Sequence, residues 1–381
     1  MDNEKKILVK KQKINESSVI NEKNTFCFFD QNKIIIVIFI IITAIQFLII
    51  IILLKNGCGN NNNNYKNIIN GRLFLYKEDE NNSKETNKNK ISIVMTSDDY
   101  GLYPTLVSMA SALENNNKKE NILIYHLLLS HDFNMEYIEY FESLKENYDF
   151  RINYYQIPNN MFNNVRRWKK TYTVYFKLLI PLIFPDFERV IYLDSDTLIF
   201  KDLSEMFNLP FNNNYILGYP FHTPWMVTIN HKHPKIYINA GVLLININKI
   251  RRDNKDFELI DFTKKYSKRL FFLEQDGINF VYYKKMGLLP LKYGVYLYGN
   301  ITDFKKKYLY KLKIKIDLNE LKKAIDDPSI VHLCCCNPKV WYRKTKHENK
   351  FNHICKRYQK EFYFYANKTK YYDNIYNEYM N

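Results

Sequence analysis

Two aspartates, Asp194 and Asp196, follow the apolar run 190–193 and are separated by one residue. In extended backbone, residues at this spacing point to the same side, so both carboxylates face one site. Such oxygen ligands suit Mg²⁺ or Mn²⁺, and the ion can in turn hold a diphosphate. Capping of the next helix is the alternative role. The pair alone therefore indicates a metal site without establishing one.

A second acidic pair, Asp98 and Asp99, follows the apolar run 91–96. In open sheets with helices on both faces, ligands bind beyond the carboxyl ends of the strands. Each acidic pair directly follows the carboxyl end of a predicted strand, so we expect both pairs to lie at the same edge of a sheet. For Asp98, capping of the helix that starts near Tyr103 is the structural alternative.

The segments that must position these carboxylates alternate between buried-strand patterns and helical patterns, which predicts an α/β fold with a mostly parallel sheet flanked by helices. The predicted strands are 91–96, 122–129, 151–155, 190–193, 215–219 and 242–247. The predicted helices are 106–113, 174–184, 257–266 and 276–284, and Pro185 is expected to end the second of them.

Four motifs occur in order along the chain: VIYLDSDTL at 190–198, YINAGVLLININ at 237–248, EQDGIN at 274–279, and His332 with Lys339 and Trp341. Together, over about residues 91–343, they resemble glycosyltransferase family 8, the group of glycogenin and the bacterial lipopolysaccharide galactosyltransferases. The resemblance implies a nucleotide-diphospho-sugar transferase fold of the GT-A type. It also implies Mn²⁺ as cofactor, with Mg²⁺ as the alternative, and transfer from a UDP-sugar with retention at the anomeric carbon.

The resemblance assigns the metal to Asp194, Asp196 and His332. A neutral imidazole with two carboxylates is a sensible ligand set for Mn²⁺. Without the motif, His332 would be interpreted as a hydrogen-bonded histidine at a strand end. Lys339 matches a family lysine that supports the departing diphosphate. The segment 333–338 departs from the family pattern, because it is one residue longer and contains no glycine.

The resemblance also assigns substrate-binding residues at two places. Asp98 matches the residue that reads the uracil, Asp99 lies beside it, and Tyr100 is a candidate to stack on the base. The family aromatic stands one place later, where this chain has Gly101. A turn formed by Asn239, Ala240 and Gly241 matches the donor-sugar contact, and its glycine permits close approach of the backbone.

Three more residues take their roles from the same resemblance. Gln275 matches a residue near the anomeric carbon, proposed as a weak nucleophile or a transition-state stabiliser. Glu274 stands where the family usually has aspartate, and Lys177 stands where it often has arginine facing the donor phosphates or sugar. A solvated helix lysine is the structural alternative for Lys177, which also lacks the bidentate fork of arginine.

The cysteine triplet 334–336 and Cys355 allow two interpretations. A zinc site is disfavoured, because adjacent cysteines lack the spacing that lets two thiolates reach one metal without strain. In an oxidising lumen, a disulfide between one cysteine of the triplet and Cys58 or Cys355 is favoured instead.

Residues 34–54 carry no charge and are long enough to span a bilayer as a helix. The lysines before them place the amino terminus in the cytosol. We therefore predict a single-pass type II protein of the Golgi or endoplasmic reticulum membrane with a luminal catalytic domain. The predicted parts are a cytoplasmic tail (1–33), the membrane helix (34–54), a disordered stem (55–90), the catalytic domain (91–343) and a basic, aromatic carboxyl-terminal extension (344–381).

The composition agrees with a large folded domain, because 381 residues with 46% hydrophobic side chains can close a substantial core. A fully disordered or collagen-like chain is excluded. The net charge of +16 invites anionic partners, but a luminal domain leaves no nucleic acid to bind. The expected partners are a UDP-sugar donor and a glycan, glycoprotein or glycolipid acceptor. The alternative is a membrane-anchored binding protein whose altered 333–338 segment has lost catalysis.

Overall fold

The computed structural model describes residues 74–77, 87–168, 171–221, 236–295, 317–336, 339–342 and 353–379. They all belong to one compact unit, Ile68–Asn381. The predicted tail and the predicted membrane helix at 34–54 lie outside the described residues. Within the described ranges, no helix is long and apolar enough to cross a membrane.

The centre of the fold is an eight-stranded sheet. Its strands, from one edge to the other, are β1 (Phe74–Lys77), β4 (Phe150–Ile157), β3 (Asn121–Ser130), β2 (Asn89–Ser97), β5 (Arg189–Leu193), β8 (Ile238–Asn246), β7 (Ile216–Pro220) and β9 (Met286–Leu288). Strands β4, β3, β2 and β5 run parallel, whereas β8 is antiparallel to both of its neighbours. The predicted α/β class with a mostly parallel sheet is confirmed.

Helices cover this sheet. They are α1 (Leu102–Glu114), α2 (Ile138–Glu142), α3 (Ile180–Ile183), α4 (Ser204–Phe207), α5 (Ile247–Arg252), α6 (Lys255–Tyr266), α7 (Leu273–Val281), α8 (Leu318–Asp326), α9 (His353–Ala366) and α10 (Tyr372–Glu378). The single helix predicted at 174–184 is wrong. A 3₁₀ helix, Thr173–Leu179, precedes α3 instead. Pro181 lies in the first turn of α3, where a missing N–H costs no intrahelical bond.

A small three-stranded sheet brings a distant part of the chain to the end of β5. It consists of β10 (Tyr293–Val295), β11 (Ile330–His332) and β6 (Thr197–Ile199). Strand β11 runs antiparallel to β6, and His332 lies opposite Thr197. Because Thr197 directly follows Asp196, this register places the histidine beside the aspartate pair.

Strand β8 begins before the predicted strand at 242–247, so the turn predicted at Asn239, Ala240 and Gly241 is wrong. Helix α7 explains the longer strand, because its amide side chains bind the backbone of β8. Asn279 accepts a hydrogen bond from Ile238 N at 2.7 Å and donates one to Ile238 O at 2.9 Å. These residues are therefore held extended by contacts that a local sequence pattern does not reveal.

The folded unit extends beyond the predicted catalytic domain at both ends. Strand β1 lies in the predicted stem and pairs with β4. Helix α9 lies in the predicted extension and packs into the main core through Tyr358, Phe362 and Tyr365. A disulfide joins Cys336 to Cys355 at the start of α9. Of the two partners predicted for the triplet, Cys58 and Cys355, the structure has the second.

Candidate active site

The aspartate pair lies where β2 and β5 end side by side, since Met95 pairs with Leu193 in the parallel register. Asp194 and Asp196 leave β5 in a tight turn before β6. Thr197 Oγ1 closes this turn by donating a hydrogen bond to Asp194 O at 2.9 Å. The turn thus points both carboxylates towards β11.

The two carboxylate oxygens of Asp194 have different environments. Oδ1 accepts hydrogen bonds from Lys177 Nζ at 3.1 Å and from Tyr192 OH at 2.6 Å. Oδ2 lies 3.6 Å from His332 Nε2. The protein therefore holds one oxygen and presents the other to the histidine.

His332 is 3% exposed, and its Nε2 lies 3.0 Å from Asp196 Oδ1. Burial alone would lower the pKa of His332, but the carboxylates of Asp196 and Asp194 outweigh it and raise that pKa above its ordinary value. One ligand atom from each of the three residues lies within 4.8 Å of the other two. The structure thus brings together the three side chains that the sequence analysis selected as metal ligands.

The second oxygen of Asp196 lies against Lys339. Lys339 Nζ donates to Asp196 Oδ2 at 2.5 Å and to Leu333 O at 3.1 Å. Burial alone would raise the pKa of Asp196, but the Lys339 ammonium and the His332 ring outweigh it and hold that pKa well below its usual range. Asp196 is therefore a carboxylate, and the lysine stands at the rim of the cluster.

Gly241 leaves room for the side chains of His332 and Asp194 to meet. A Cβ at this position would lie 2.1 Å from His332 Cε1 and 2.6 Å from Asp194 Oδ2. The absence of a side chain at this position therefore serves two of the metal-site residues. The contact of this backbone with the donor sugar stays a prediction. Two carboxylates and an imidazole around this space fit a divalent cation such as Mn²⁺.

Lys177 points into the protein, so the solvated position considered for it is wrong. Its side chain is 2% exposed, and Nζ lies 3.2 Å from Glu274 Oε1 and 3.0 Å from Ala240 O. Burial raises the pKa of Glu274 to about 7, with the Lys177 ammonium opposing the shift and the Asp194 carboxylate adding to it. The substrate contact predicted for Lys177 and the catalytic role predicted for Glu274 stay predictions.

Gln275 is buried, and both ends of its amide have partners. Oε1 accepts a hydrogen bond from Ala240 N at 3.0 Å, and Nε2 donates one to Tyr237 OH at 3.3 Å. The residue therefore fixes the backbone of β8 beside the aspartate pair. Its predicted role at the anomeric carbon stays a prediction.

The residues predicted to hold the nucleotide base lie at the start of α1. Asp98 Oδ1 accepts a hydrogen bond from Gly101 N at 2.9 Å and caps the 3₁₀ turn that leads into the helix. Asp99 Oδ1 accepts one from Asn134 N at 2.9 Å. Tyr100 is 85% exposed, so its ring is accessible. Asp98 thus caps the 3₁₀ turn and not α1 itself, whose N-cap residue is Gly101. Base recognition by these residues stays a prediction.

Sequence reasoning missed Tyr192 and Tyr237 as parts of the site. Tyr192 holds Asp194 Oδ1, and Tyr237 OH donates to Asp276 Oδ1 at 2.5 Å. The alternation of side chains along β5 was a usable signal for the first, because Tyr192 and Asp194 are two residues apart. No local signal identifies the second, whose partner comes from α7.

A sequence model described as "Glycosyl transferase family 8" matches residues 91–345. The chain belongs to this family. A putative glycosyltransferase of Haemophilus influenzae is 25% identical over 271 residues, which cover 68% of this chain and 75% of the relative. The lipopolysaccharide 1,3-galactosyltransferase of Salmonella typhimurium is 28% identical over 226 residues, which cover 56% of this chain and 66% of the relative.

A solved galactosyltransferase has a similar fold. The galactosyltransferase LgtC, crystallised with donor and acceptor sugar analogs, matches with a TM-score of 0.59 at 16% identity. The match covers 74% of this chain and 96% of LgtC. The GT-A-type fold implied by the motifs is confirmed, and family membership makes the protein a nucleotide-sugar glycosyltransferase.

Proposed function

We propose that this family 8 enzyme transfers a hexose, glucose or galactose, from a UDP-sugar to a glycan, glycoprotein or glycolipid acceptor in a Mn²⁺-dependent reaction. The observation that carries the proposal is the meeting of Asp194, Asp196 and His332 within 4.8 Å at the carboxyl end of β5. A galactosyl donor is supported by the relative from Salmonella typhimurium, whose name is lipopolysaccharide 1,3-galactosyltransferase.

The residues that would hold the cation are Asp194 through Oδ2, Asp196 and His332 through Nε2. When bound, a divalent cation stabilises the negative charge that grows on the departing diphosphate. Lys339 supplies a further positive charge at the rim of the cluster. Departure of UDP is thus the step that the charges of this site favour most.

Retention of configuration requires the acceptor hydroxyl to attack from the face that UDP leaves. The departing phosphate oxygen would take the hydroxyl proton. Double displacement through Gln275 or Glu274 is the competing route. The contacts of Gln275 with Ala240 and of Glu274 with Lys177 support the direct route, because both side chains are held by the protein.

A panel of UDP-sugars, assayed for UDP release with and without Mn²⁺, tests this function on the full-length chain. We expect release from a UDP-hexose only with the metal, and a loss of at least 100-fold in Asp194→Asn and Asp196→Asn. Asp253→Asn is the matched control, because Asp253 pairs with Lys249 and Lys285 and makes no contact with the three ligand residues. UDP binding without turnover would instead favour the membrane-anchored binding protein.

The location is a separate proposal: a single-pass type II protein of the Golgi or endoplasmic reticulum with the catalytic domain in the lumen. The disulfide between Cys336 and Cys355 supports an oxidising compartment. Protease protection of the catalytic domain in intact microsomes is the expected result. Digestion of that domain without detergent would contradict the luminal topology.

A further inference from the structure

The second ring nitrogen of His332 also has a partner. Nδ1 lies 3.0 Å from Asn239 Oδ1, and both residues are buried. The contact uses the ring nitrogen that does not face the aspartate pair. Asn239 was selected from the sequence for a contact with the donor sugar, so this partner is an unexpected use of the residue.

The direction of this hydrogen bond follows from a third group. Asn239 Oδ1 also accepts a hydrogen bond from Gly241 N at 2.7 Å. A backbone N–H can only donate, so the atom between the two nitrogens is the amide oxygen and not the amide nitrogen. The same oxygen can only accept from the imidazole, so Nδ1 carries a hydrogen.

With the hydrogen on Nδ1, the lone pair of the neutral imidazole lies on Nε2. This nitrogen faces Asp196 Oδ1 at 3.0 Å and Asp194 Oδ2 at 3.6 Å. Metal-binding histidines usually donate their other N–H to a fixed acceptor, which sets both the tautomer and the plane of the ring. Asn239 supplies that acceptor here.

We propose that Asn239 is a positioning residue that fixes the tautomer and orientation of His332 for metal binding, an inference that rests on the proposed metal-dependent function. Its position in β8 suits this role, because Asn239 and Gly241 are two residues apart and lie on the same side of the strand. The asparagine thus supports the ring from the side on which the glycine leaves room for it.

Two substitutions separate this role from a direct sugar contact. Asn239→Leu keeps the approximate size but removes the acceptor, so we expect Mn²⁺ affinity to fall about 10- to 100-fold. Asn239→Asp keeps an acceptor for both N–H groups and removes the amide donors. It should retain Mn²⁺ affinity, and it should raise KM for the donor if the amide nitrogen also contacts the sugar.

The measurement is Mn²⁺ binding to the full-length chain in detergent, followed by electron paramagnetic resonance. Pulsed echo-modulation spectra report the coordinated ¹⁴N of an imidazole directly. Wild type and Asn239→Asp should show this modulation, and Asn239→Leu should show it weakened. Asn279→Leu is the matched control, because it removes buried amide bonds to β8 at Ile238 without touching His332.

The outcomes are distinguishable. Absence of nitrogen modulation in the wild type would overturn the proposed metal site itself. Modulation in the wild type with unchanged affinity in Asn239→Leu would overturn the role of Asn239 alone. An equal loss of affinity in Asn279→Leu would also overturn it, because general disturbance of β8 would then explain the effect.

Discussion

At the scale of residues, the candidate metal ligands share one arrangement: the protein binds one polar atom and leaves another facing the site. Asp194 is held through Oδ1 by Lys177 and Tyr192, whereas His332 is held through Nδ1 by Asn239. Side chains held in this way need little reordering when they bind a ligand. The geometry of the candidate ligands therefore depends on Lys177, Tyr192 and Asn239, which lie outside the proposed ligand set.

Gly241→Ala tests how tightly these side chains must meet. The added methyl group would overlap His332 Cε1, so we expect Mn²⁺ affinity and transferase activity to fall at least 10-fold while the fold is kept. Gly287→Ala, whose Cβ would lie 2.5 Å from Leu217 Cδ2 in β7, is a control that disturbs packing away from the site. Wild-type Mn²⁺ affinity in Gly241→Ala, measured by titration, would contradict the account.

A buried histidine outside the site makes stability depend on pH. His126 is 3% exposed beside Phe184, and its Nε2 has no hydrogen-bond partner among the described residues. Burial lowers the pKa of His126 to about 3. Its pKa in the unfolded chain is about 6.5, so between these values the unfolded state binds more protons and acid destabilises the protein.

As the pH falls from about 6.5 towards 3, the free energy of unfolding of His126→Phe should fall less steeply than that of the wild type. The two slopes should differ by up to about 1.4 kcal/mol per pH unit. Urea unfolding at a series of pH values measures the effect. His131→Gln removes an exposed imidazole and is the matched control. An unchanged pH dependence in His126→Phe would show that another group dominates acid unfolding.

At the scale of elements, α7 and β8 form a unit that lies beside the aspartate pair and supports it. Asn279 and Gln275 bind the backbone of β8, and Gly277 lets the helix approach α6 closely. A Cβ on Gly277 would lie 2.3 Å from Thr263 Oγ1. Within the EQDGIN motif, Asn279 therefore fixes α7 against β8, and Gly277 allows α7 to pack closely against α6.

Gly277→Ala should destabilise the protein by about 1–3 kcal/mol, because the methyl group overpacks the contact between α6 and α7. Adding Thr263→Ala removes the clashing hydroxyl and should restore the free energy of unfolding. Alanine also favours helix over glycine by about 1 kcal/mol, so the double variant should equal or exceed the wild type. Simple additivity of the two substitutions in a denaturation cycle would contradict the predicted clash.

The sequence predicted the strands of the parallel core well, because continuous apolar runs such as 91–96 and 190–193 lie buried on both faces. It also selected Asp194, Asp196 and His332, which the structure brings together. It failed where tertiary contacts decide the conformation. Asn239 to Gly241 are extended because α7 binds them, and the 3₁₀ segment Thr173–Leu179 begins where an ordinary helix was expected.

At the scale of the whole molecule, the carboxyl-terminal helices belong to the catalytic domain. Helix α9 buries aromatic side chains in the main core, and the disulfide Cys336–Cys355 ties its start to the chain between His332 and Lys339. Part of the aromatic content of this region is therefore explained by packing in the core. We therefore expect the carboxyl-terminal region to contribute to the stability of the whole catalytic domain.

Replacing Cys336 and Cys355 together by serine should lower the free energy of unfolding by about 3 kcal/mol, as expected for a loop of this length. The measurement is thermal and urea unfolding under oxidising conditions. Cys334→Ser, at a cysteine outside the disulfide, is the matched control. Addition of a dithiol should lower the wild type to the level of the double variant, and equal stability of all forms would contradict this role.

The proposed chemistry depends on one divalent cation held by Asp194, Asp196 and His332 together. Crystals of the catalytic domain grown with Mn²⁺ and UDP, measured near the manganese absorption edge, test it most directly. We expect one strong anomalous peak about 2 Å from a carboxylate oxygen of each aspartate and from His332 Nε2. A peak elsewhere, or UDP bound with no peak between these three side chains, would contradict it.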